Sequence, residues 1–311
     1  MSLIILYLAV ALLGGFLAMG LGAMLAAMRR GRDYDPRDPK IIAKSCWARY
    51  QEEVLAGAAW IVSQPTEELT IQSHDGLRLS GRLLAAEDPK GTLLLFHGYR
   101  SMAPIDFSCA AQYYHDLGYN LVLVDQRSHG HSQGTYITYG ILERRDCQRW
   151  AEYCFQRFGP EHPLFLDGIS MGATTLLLAS ALPLPPTVRG VIADCGFTSA
   201  REIISHVMRT RCHLPERPLI WAVEFWSRIL AHVSLAGAST LDAVAATKLP
   251  ILFLHGRADR FVPCEMTLRA YEACRSEKHL VVVEGAGHGA SFLVDHDACT
   301  HALESFLEGH R

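Results

Sequence analysis

The sequence predicts an α/β protein with a mostly parallel sheet, helices on both faces of that sheet, and one membrane-spanning helix before it. Three observations carry this prediction. Six short apolar runs, partly β-branched, alternate with segments of helical spacing, as buried parallel strands do. A Gly-x-Ser-x-Gly pentapeptide lies between one such run and an apolar segment of helical length. Leu3 to Met28 contains no charged residue.

Length and composition limit the architecture and the partners. The chain has 311 residues, 50% of them hydrophobic, which is enough for one large α/β core with a small insertion. The formal net charge is -3 and the folded part has no block of Lys and Arg, so no nucleic-acid partner is expected. The nine cysteines form no Cys-x-x-Cys pair and no zinc-like spacing with histidine. Reduced thiols, a reducing compartment and no metal site are therefore expected.

The first element, Leu3 to Met28, is long enough to cross a bilayer and is interpreted as a transmembrane anchor (1–28). A cleaved signal peptide would carry positive charge ahead of its apolar run, whereas only the N-terminal amine precedes this one. Basic residues follow it within the span that decides orientation, at Arg29, Arg30, Arg32, Arg37, Lys40 and Lys44. This predicts a single-pass protein whose folded domain faces the cytoplasm. The competing interpretation is an uncleaved export anchor with the domain outside.

Residues 29–66 connect the anchor to the domain. Arg29 to Lys40 is charged and contains Pro36 and Pro39, which predicts a juxtamembrane linker rather than a packed element. From Ile41 to Ile61 apolar residues recur at steps of three and four, which predicts a helix that packs against the domain.

The folded domain is predicted to begin at Glu67 and to occupy 67–311. Its first two strands flank His74-Asp75-Gly76, where Asp-Gly supplies the turn of an antiparallel hairpin. The buried strands are expected at Thr92 to Phe96, Leu121 to Val124, Leu164 to Leu166, Val188 to Ala193, Ile251 to Leu254 and Leu280 to Val283. Helical spacing is found at Phe107 to Leu117, Glu143 to Phe158, Met171 to Ala181, Glu265 to Cys274 and Ala298 to Leu307. Arg201 to Thr247 interrupts this alternation and predicts a helical lid over the carboxyl edge of the sheet, where ligands bind in such folds.

A candidate nucleophile lies at the end of one predicted strand. The run from Leu164 to Leu166 leads into Gly168-Ile169-Ser170-Met171-Gly172, and an apolar segment of helical length follows. A nucleophile elbow requires this context, because the glycines allow a sharp turn that leaves the serine Oγ exposed at a helix N-terminus. The flanking strand and helix, rather than the pentapeptide alone, indicate that Ser170 is a nucleophile.

Two polar residues follow other strands at the same edge of the sheet. Asp259 comes after the Ile251 to His255 run, and His288 comes after the next apolar run. A serine hydroxyl needs a base to take its proton, and the base needs a carboxylate to hold its tautomer. The order Ser, Asp, His therefore predicts a catalytic triad of Ser170, Asp259 and His288. Asp194, which also follows a strand, is an alternative acid.

Nucleophilic attack creates an oxyanion, which backbone N–H groups must stabilise. One donor is expected at Met171, directly after the nucleophile. The second is expected at Tyr99 in the loop His97-Gly98-Tyr99-Arg100, where Gly98 lets the backbone approach a substrate. His97 is interpreted as a structural loop histidine.

These motifs resemble those of the α/β-hydrolase superfamily and, more narrowly, of bacterial membrane-anchored hydrolases of the serine-aminopeptidase-like group. The resemblance covers Glu67 to the C-terminus and rests on His97-Gly98-Tyr99, Asp125 to Ser132, Gly168 to Gly172, Gly256 to Asp259 with Val262-Pro263, and Gly287-His288. It implies an eight-stranded sheet, no cofactor, the three triad roles given above, and a bracing role for Asp125 and Arg127. The oxyanion loop lacks the run of glycines found in one lipase type.

Several functions remain open on such a scaffold. A complete triad favours an enzyme over a non-catalytic interaction protein, and a serine at the elbow excludes the dehalogenases and epoxide hydrolases, which use aspartate there. Esterases, including lysophospholipase-like enzymes, acylglycerol lipases, thioesterases and aminopeptidases remain. A peptidase needs an acidic group for the substrate amine, and the acidic residues of the insertion are dispersed. The sequence thus favours hydrolysis of a small-molecule or lipid-like carboxylic ester through an acyl-enzyme, with Trp221, Phe225 and Trp226 forming an apolar lid for medium acyl chains.

Overall fold

The computed structural model describes residues 2–311, so Met1 of the predicted anchor lies outside the described residues. The strands are β1 (Glu67–Gln72), β2 (Arg78–Leu84), β3 (Thr92–Phe96), β4 (Asn120–Val124), β5 (Leu164–Ile169), β6 (Val188–Asp194), β7 (Ile251–Gly256) and β8 (Lys278–Val283). They form one sheet in the order β1-β2-β4-β3-β5-β6-β7-β8. β2 pairs antiparallel with both of its neighbours, and all later pairs are parallel. The predicted eight-stranded, mostly parallel sheet is confirmed.

The chain also forms α-helices, several of which cover the two faces of this sheet. They are α1 (Ser2–Met28), α2 (Pro39–Ile42), α3 (Gln51–Ser63), α4 (Ala103–Asp106), α5 (Ala111–Asp116), α6 (Glu143–Phe158), α7 (Met171–Ala179), α8 (Ala200–Thr210), α9 (Leu219–Leu230), α10 (Thr240–Ala246), α11 (Cys264–Ala273), α12 (Ser291–Val294) and α13 (His296–His310). One core holds side chains of α6, α7, α10 and α11, including Trp150, and the other holds side chains of α3, α5 and α13, including Phe306. Double coverage explains why the central strands are continuous apolar runs.

Two predicted helices are each divided in the structure. The helix expected from Ile41 to Ile61 is α2, a turn and α3, because the Ser45 hydroxyl bonds to the Ile42 carbonyl at 2.8 Å and accepts the Trp47 N–H at 3.1 Å. A serine side chain that competes for backbone groups in this way favours a turn over a continued helix. The helix expected from Phe107 to Leu117 is a turn followed by α5, and that turn brings a backbone carbonyl against Gly57 of α3.

The segment after α1 is packed on the domain, unlike the linker predicted at Arg29 to Lys40. Arg29 forms a β-bridge with Tyr136, and the Arg30 N–H donates to the Thr135 carbonyl at 2.9 Å. The Arg30 side chain also donates to the Ser132 carbonyl at 2.6 Å. Proline and charge excluded a long regular helix here, but they did not exclude docking through backbone hydrogen bonds.

The lid is shorter than the predicted insertion from Arg201 to Thr247. α8 and α9 lie over Ser170 at the carboxyl edge of the sheet, where Ile203 and Val223 line a cavity with it. α10 instead packs against α7 and α11 with the helices that cover the sheet. Val244 of α10 is fully buried in that layer, so the last third of the insertion belongs to the core.

Candidate active site

Ser170 occupies the turn between β5 and α7. Its backbone has φ 58° and ψ -113°, a strained conformation for a residue with a Cβ, and its side chain points out of the turn with the residue 5% exposed. The turn depends on both glycines of the motif. A Cβ on Gly168 would lie 2.5 Å from the Gly172 backbone, and one on Gly172 would lie 1.8 Å from the Phe96 carbonyl oxygen. The sequence therefore forms a nucleophile elbow in the geometric sense.

The structure brings Ser170, Asp259 and His288 together. The loops after β7 and β8 carry Asp259 and His288 to the carboxyl end of β5, because neighbouring parallel strands end at the same edge. His288 Nε2 lies 2.9 Å from Ser170 Oγ, and His288 Nδ1 lies 2.6 Å from Asp259 Oδ2. In this arrangement the imidazole can take the serine proton while the carboxylate holds Nδ1–H.

Four donors hold the Asp259 carboxylate. Besides His288, the backbone N–H groups of Phe261 and Val262 donate at 2.7 and 3.0 Å, and His255 Nε2 lies at 3.2 Å. Burial alone would raise the pKa of Asp259, but the hydrogen bonds from His255 and His288 hold it well below its usual range. The side chain therefore stays ionised, as support of an imidazolium requires.

His255 is a site residue that the sequence analysis missed. It is fully buried at the end of β7, and its Nδ1 lies 2.7 Å from the Thr267 hydroxyl while its Nε2 faces Asp259 and the Val262 carbonyl. The sequence offered one signal for this residue, since a histidine at the end of an apolar strand run is a polar side chain placed at the edge of the sheet where the site lies. His255 orients the Asp259 carboxylate without contacting Ser170.

The two expected oxyanion donors lie at the elbow and in the loop after β3. Within residues 2–311, neither the Tyr99 N–H nor the Met171 N–H donates a hydrogen bond to the backbone or a side chain. A Cβ on Gly98 would lie 3.3 Å from the Ser170 Cβ, a tight contact that glycine avoids where the loop approaches Ser170. Both N–H groups are thus available to a ligand beside Ser170.

Asp106 holds this loop and was also missed. Its buried carboxylate accepts the Gly98 N–H at 2.5 Å and the Ser101 hydroxyl. Burial raises the pKa of Asp106, although these two donors oppose the rise. No sequence motif marked Asp106, because its role depends on the loop that folds back over it.

His97 and Asp194 lie near Ser170 but do not belong to the hydrogen-bonded series of Ser170, His288 and Asp259. His97 is fully buried, donates from Nδ1 to the Gly98 carbonyl at 2.8 Å and accepts the Gln126 N–H at 3.2 Å, which fits the structural role expected for it. Asp194 accepts the Ser291 hydroxyl at 3.2 Å, whereas His288 bonds to Asp259. The geometry therefore selects Asp259 over Asp194 as the partner of the histidine.

The loop after β4 is braced by a buried ion pair. Arg127 donates to Asp146 at 2.6 and 2.7 Å and to Asp75 at 2.9 and 3.0 Å, and Asp125 accepts the His131 N–H at 2.9 Å. Burial opposes the charge of Arg127, but its hydrogen bonds with Asp146 hold the pKa of the guanidinium above its usual range. This is the bracing role that the resemblance implies for Asp125 and Arg127.

Two groups of side chains within the described chain have ligand atoms close enough to share a metal ion. One is Cys195 with Asp259 and His288, and the other is His74 with Asp75 and Asp146. In the first group the carboxylate and imidazole are bonded to each other, and burial holds the pKa of the Cys195 thiol well above its usual range. In the second, Arg127 already neutralises both carboxylates. Neither donor set fits a metal ion.

Two cavities meet at Ser170. One, of about 290 Å³, is lined almost wholly by apolar side chains of α1, α8 and α9 together with Tyr139, Phe197 and Phe261. The other, of about 620 Å³, lies on the side of His288 and is lined by the segment from Tyr34 to Trp47 and by polar residues that include Arg100 and Arg211. Ser170 therefore lies between an apolar cavity and a more polar one.

Comparison with known proteins places this arrangement in a family. The family model described as serine aminopeptidase, S33, matches residues 87–212 and 199–292, more than half of the chain. The chain belongs to the S33 serine aminopeptidase family of hydrolases. Ser170, the Asp259 loop and His288 all lie inside the matched residues, whereas α1, α2 and α3 lie outside them.

Relatives of this family member include proteins of bacteria and of fission yeast. The chain is 27% identical to the uncharacterized protein YqkD of Bacillus subtilis over 241 residues, which are 76% of this chain and 78% of YqkD. It is 25% identical to protein bem46 of Schizosaccharomyces pombe over 221 residues, 68% of this chain and 67% of bem46.

Solved structures show that the fold is that of the α/β hydrolases. The Pyrococcus furiosus esterase Pf2001 superposes with a TM-score of 0.66 at 22% identity, covering 81% of this chain and 95% of the esterase. The esterase EaEST from Exiguobacterium antarcticum superposes with a TM-score of 0.58 at 19% identity, covering 77% and 99%. About a fifth of this chain therefore has no counterpart in these esterases.

Proposed function

We propose that the protein is a serine hydrolase that cleaves carboxylic esters of acyl chains through an acyl-enzyme on Ser170. The observation that carries this proposal is the hydrogen-bonded series from Ser170 through His288 to Asp259, at 2.9 and 2.6 Å, beside an apolar cavity of about 290 Å³. A cavity of this kind suits an acyl chain, since burying one methylene contributes about 0.8 kcal/mol.

The geometry supports the following sequence of steps. His288 Nε2 takes the proton of Ser170 Oγ as the oxygen attacks the ester carbonyl, and Asp259 stabilises the resulting imidazolium. The N–H groups of Tyr99 and Met171 bind the developing oxyanion. The imidazolium then gives its proton to the departing alcohol, which leaves an acyl group on the serine. Water, deprotonated by the same imidazole, attacks the acyl-enzyme and releases the carboxylic acid.

The residues around Ser170 favour an ester over a peptide substrate. Among the residues that line the two cavities within 2–311, the only carboxylate apart from the triad is Asp106. Asp106 already accepts the Gly98 N–H and the Ser101 hydroxyl, so it is not available to hold a substrate amine. An aminopeptidase would need such a group, which is why acyl esters are the substrates we propose.

Ser170→Ala tests this function, with Ser63→Ala on the exposed end of α3 as the matched control. Wild type and Ser63→Ala should react with a fluorophosphonate probe and hydrolyse aryl esters, whereas Ser170→Ala should lose the labelling and about three or more orders of magnitude of turnover. Absence of labelling in the wild type would favour an interaction protein instead. A clear preference for amino-acyl arylamides over aryl esters would transfer the assignment to an aminopeptidase.

We also propose that α1 is retained as a membrane anchor. The helix is apolar over Leu3–Met28, long enough to span a bilayer, and its end is packed into the domain, where Met24 and Met28 are fully buried. Cleavage of this segment as a signal sequence would expose that part of the core, which supports retention. The basic residues after Met28 support an orientation with the domain in the cytoplasm.

Labelling of intact cells tests the orientation. Asp88 is exposed between β2 and β3, at the edge of the sheet opposite the lid, so Asp88→Cys presents a thiol away from any membrane contact. A membrane-impermeant maleimide should modify this cysteine only after lysis, with the wild type as the control for background from its own thiols. Modification in intact cells would place the domain outside.

A further inference from the structure

The last turns of α1 form one wall of the apolar cavity beside Ser170. Ala23, Ala26 and Ala27 line it from the N-terminal helix, opposite Val207 of α8 and Val223 of α9. The family model begins at residue 87, so this wall lies outside the part of the chain that defines the family. The small alanine side chains leave open the volume that larger residues would fill.

Hydrogen bonds attach the end of α1 to the loop that carries an oxyanion donor. The hydroxyls of Tyr99 and Tyr139 both donate to the Ala27 carbonyl at 2.8 Å, and Arg100 donates to the Ala26 and Arg29 carbonyls at 2.9 Å. The last carbonyls of a helix have no partner within the helix, and these side chains satisfy them. The membrane helix and the catalytic loop are therefore held in one fixed arrangement.

The lid helix α9 runs along α1 for several turns. Trp226 Nε1 donates to the Leu17 carbonyl at 2.8 Å, and Gly20 touches Ala222 so closely that an added Cβ would lie 2.3 Å from the Ala222 Cβ. Residues 3–16 of α1 precede these contacts and extend about 21 Å, which is shorter than the roughly 30 Å hydrocarbon core of a bilayer. A helix that spans the bilayer must therefore place its contacts with α9 in the hydrocarbon too.

The outer face of α9 matches that location. Trp221, Phe225 and Ile229 recur every four residues and are 54%, 45% and 46% exposed. They form an apolar stripe on a helix that packs along α1, which suits contact with acyl chains of lipid. Arg228, beside the stripe, pairs with Glu224 at 2.6 Å, so neither charge would enter the membrane without a partner.

We propose that α1 and the lid together form an entrance from the membrane, through which the acyl chain of a lipid-resident, long-chain ester passes into the cavity at Ser170. The bilayer is the partner of the stripe on α9, and Ala23, Ala26 and Ala27 set the length of chain that the cavity accepts. This proposal rests on the ester-hydrolase function proposed above, and it names the substrate class of that same site.

Ala23→Phe tests the wall, with Ala11→Phe on the exposed part of α1 as the matched control. The full-length protein is reconstituted in phosphatidylcholine vesicles and assayed with nitrophenyl esters from acetyl to dodecanoyl. The ratio of kcat/KM for dodecanoyl to acetyl ester should fall at least about fifteenfold in Ala23→Phe, the effect of losing two buried methylenes, and should stay within about twofold of wild type in Ala11→Phe. An unchanged ratio in Ala23→Phe would overturn the proposal.

Two readouts separate the failure of this proposal from the failure of the function. The first is fluorophosphonate labelling, which reports a folded protein with a reactive Ser170 in each variant. The second is Ala26→Leu, a smaller change in the same wall, which should lower the dodecanoyl to acetyl ratio of kcat/KM less than Ala23→Phe does. If the wild type hydrolyses the acetyl ester and is labelled normally, but neither wall variant changes the dodecanoyl to acetyl ratio, only the proposed entrance is refuted. A wild type with neither labelling nor turnover refutes the ester hydrolase itself.

Tryptophan quenching tests the contact with lipid without any activity measurement. Vesicles that contain brominated phosphatidylcholine should quench the fluorescence of the wild type and of Trp60→Phe, a control on the half-buried domain helix α3. In Trp221→Phe part of that quenching should be lost, while Trp226, which lies against Leu17, is still quenched. Equal quenching in Trp221→Phe and wild type would show that the stripe on α9 does not enter the bilayer.

Discussion

A buried carboxylate on the strand that leads to Ser170 makes the stability of the protein depend on pH. Asp167 lies on β5, three residues before Ser170, and accepts the Tyr114 hydroxyl at 2.7 Å. Burial raises the pKa of Asp167 from 3.8 to about 7; the hydrogen bond from Tyr114 opposes the rise and the nearby charge of Asp194 adds to it. We predict that Asp167→Asn stabilises the protein at alkaline pH.

The sign and size follow from proton linkage. Between about pH 4 and pH 7 the folded state keeps a proton on Asp167 that the unfolded state has released, so the free energy of unfolding falls as the pH rises through this window. From about pH 5 to pH 8 the loss is on the order of 3 kcal/mol, since each pH unit is worth about 1.4 kcal/mol up to the folded pKa. Asn carries no charge, and its Oδ1 still accepts the Tyr114 hydroxyl, so the variant escapes this loss.

Thermal unfolding in detergent micelles, followed by circular dichroism from about pH 5 to pH 8, measures the effect. Because about 1 kcal/mol shifts Tm by roughly 2–4 °C in a domain of this size, the advantage of Asp167→Asn over wild type should grow by roughly 6–12 °C across that range. Asp88→Asn, at an exposed position, is the control and should follow the wild type throughout. An advantage of equal size at both ends of the range would refute protonation of Asp167 in the folded state.

Three more substitutions probe the contacts around the site. Arg127→Met leaves the buried Asp146 carboxylate unpaired and should lower the free energy of unfolding by about 3–5 kcal/mol, measured by denaturant titration. Gly172→Ala places a Cβ 1.8 Å from a backbone carbonyl oxygen and should yield no folded protein; a normal expression yield would contradict the geometry. Asp106→Leu removes the acceptor of the Gly98 N–H and should lower kcat for aryl esters about tenfold or more, with little change in KM. An unchanged kcat would show that Asp106 does not position the loop that carries Tyr99.

The sequence determined the parallel sheet and the order of its elements, because these depend on local patterns. Continuous apolar runs and helical spacing repeat at the scale of single elements, and α6 is found at the predicted residues, Glu143–Phe158. Local patterns did not reveal the breaks at Ser45 and before α5. The first break depends on the Ser45 hydroxyl, which competes for backbone groups of the helix, and on a distant loop, since Trp47 Nε1 donates to the His288 carbonyl at 2.8 Å.

The three proposed catalytic residues could be selected from the sequence for a topological reason. Ser170, Asp259 and His288 each follow a strand, and parallel strands end at one edge, so their meeting required no knowledge of side-chain packing. His255 and Asp106 were missed because each acts through a hydrogen bond that exists only after its loop has folded. Neither residue belongs to a motif with its own spacing.

The role of the N-terminal helix shows the limit most clearly. Its composition alone predicted a helix able to span a membrane, since length and the absence of charge are properties of the segment itself. Only the tertiary structure decided that its last turns line the cavity at Ser170. Trp226 reaches Leu17 across 209 positions of the chain, and the shape of that contact depends on Gly20 meeting Ala222. Packing between such distant segments leaves no periodic pattern in either of them.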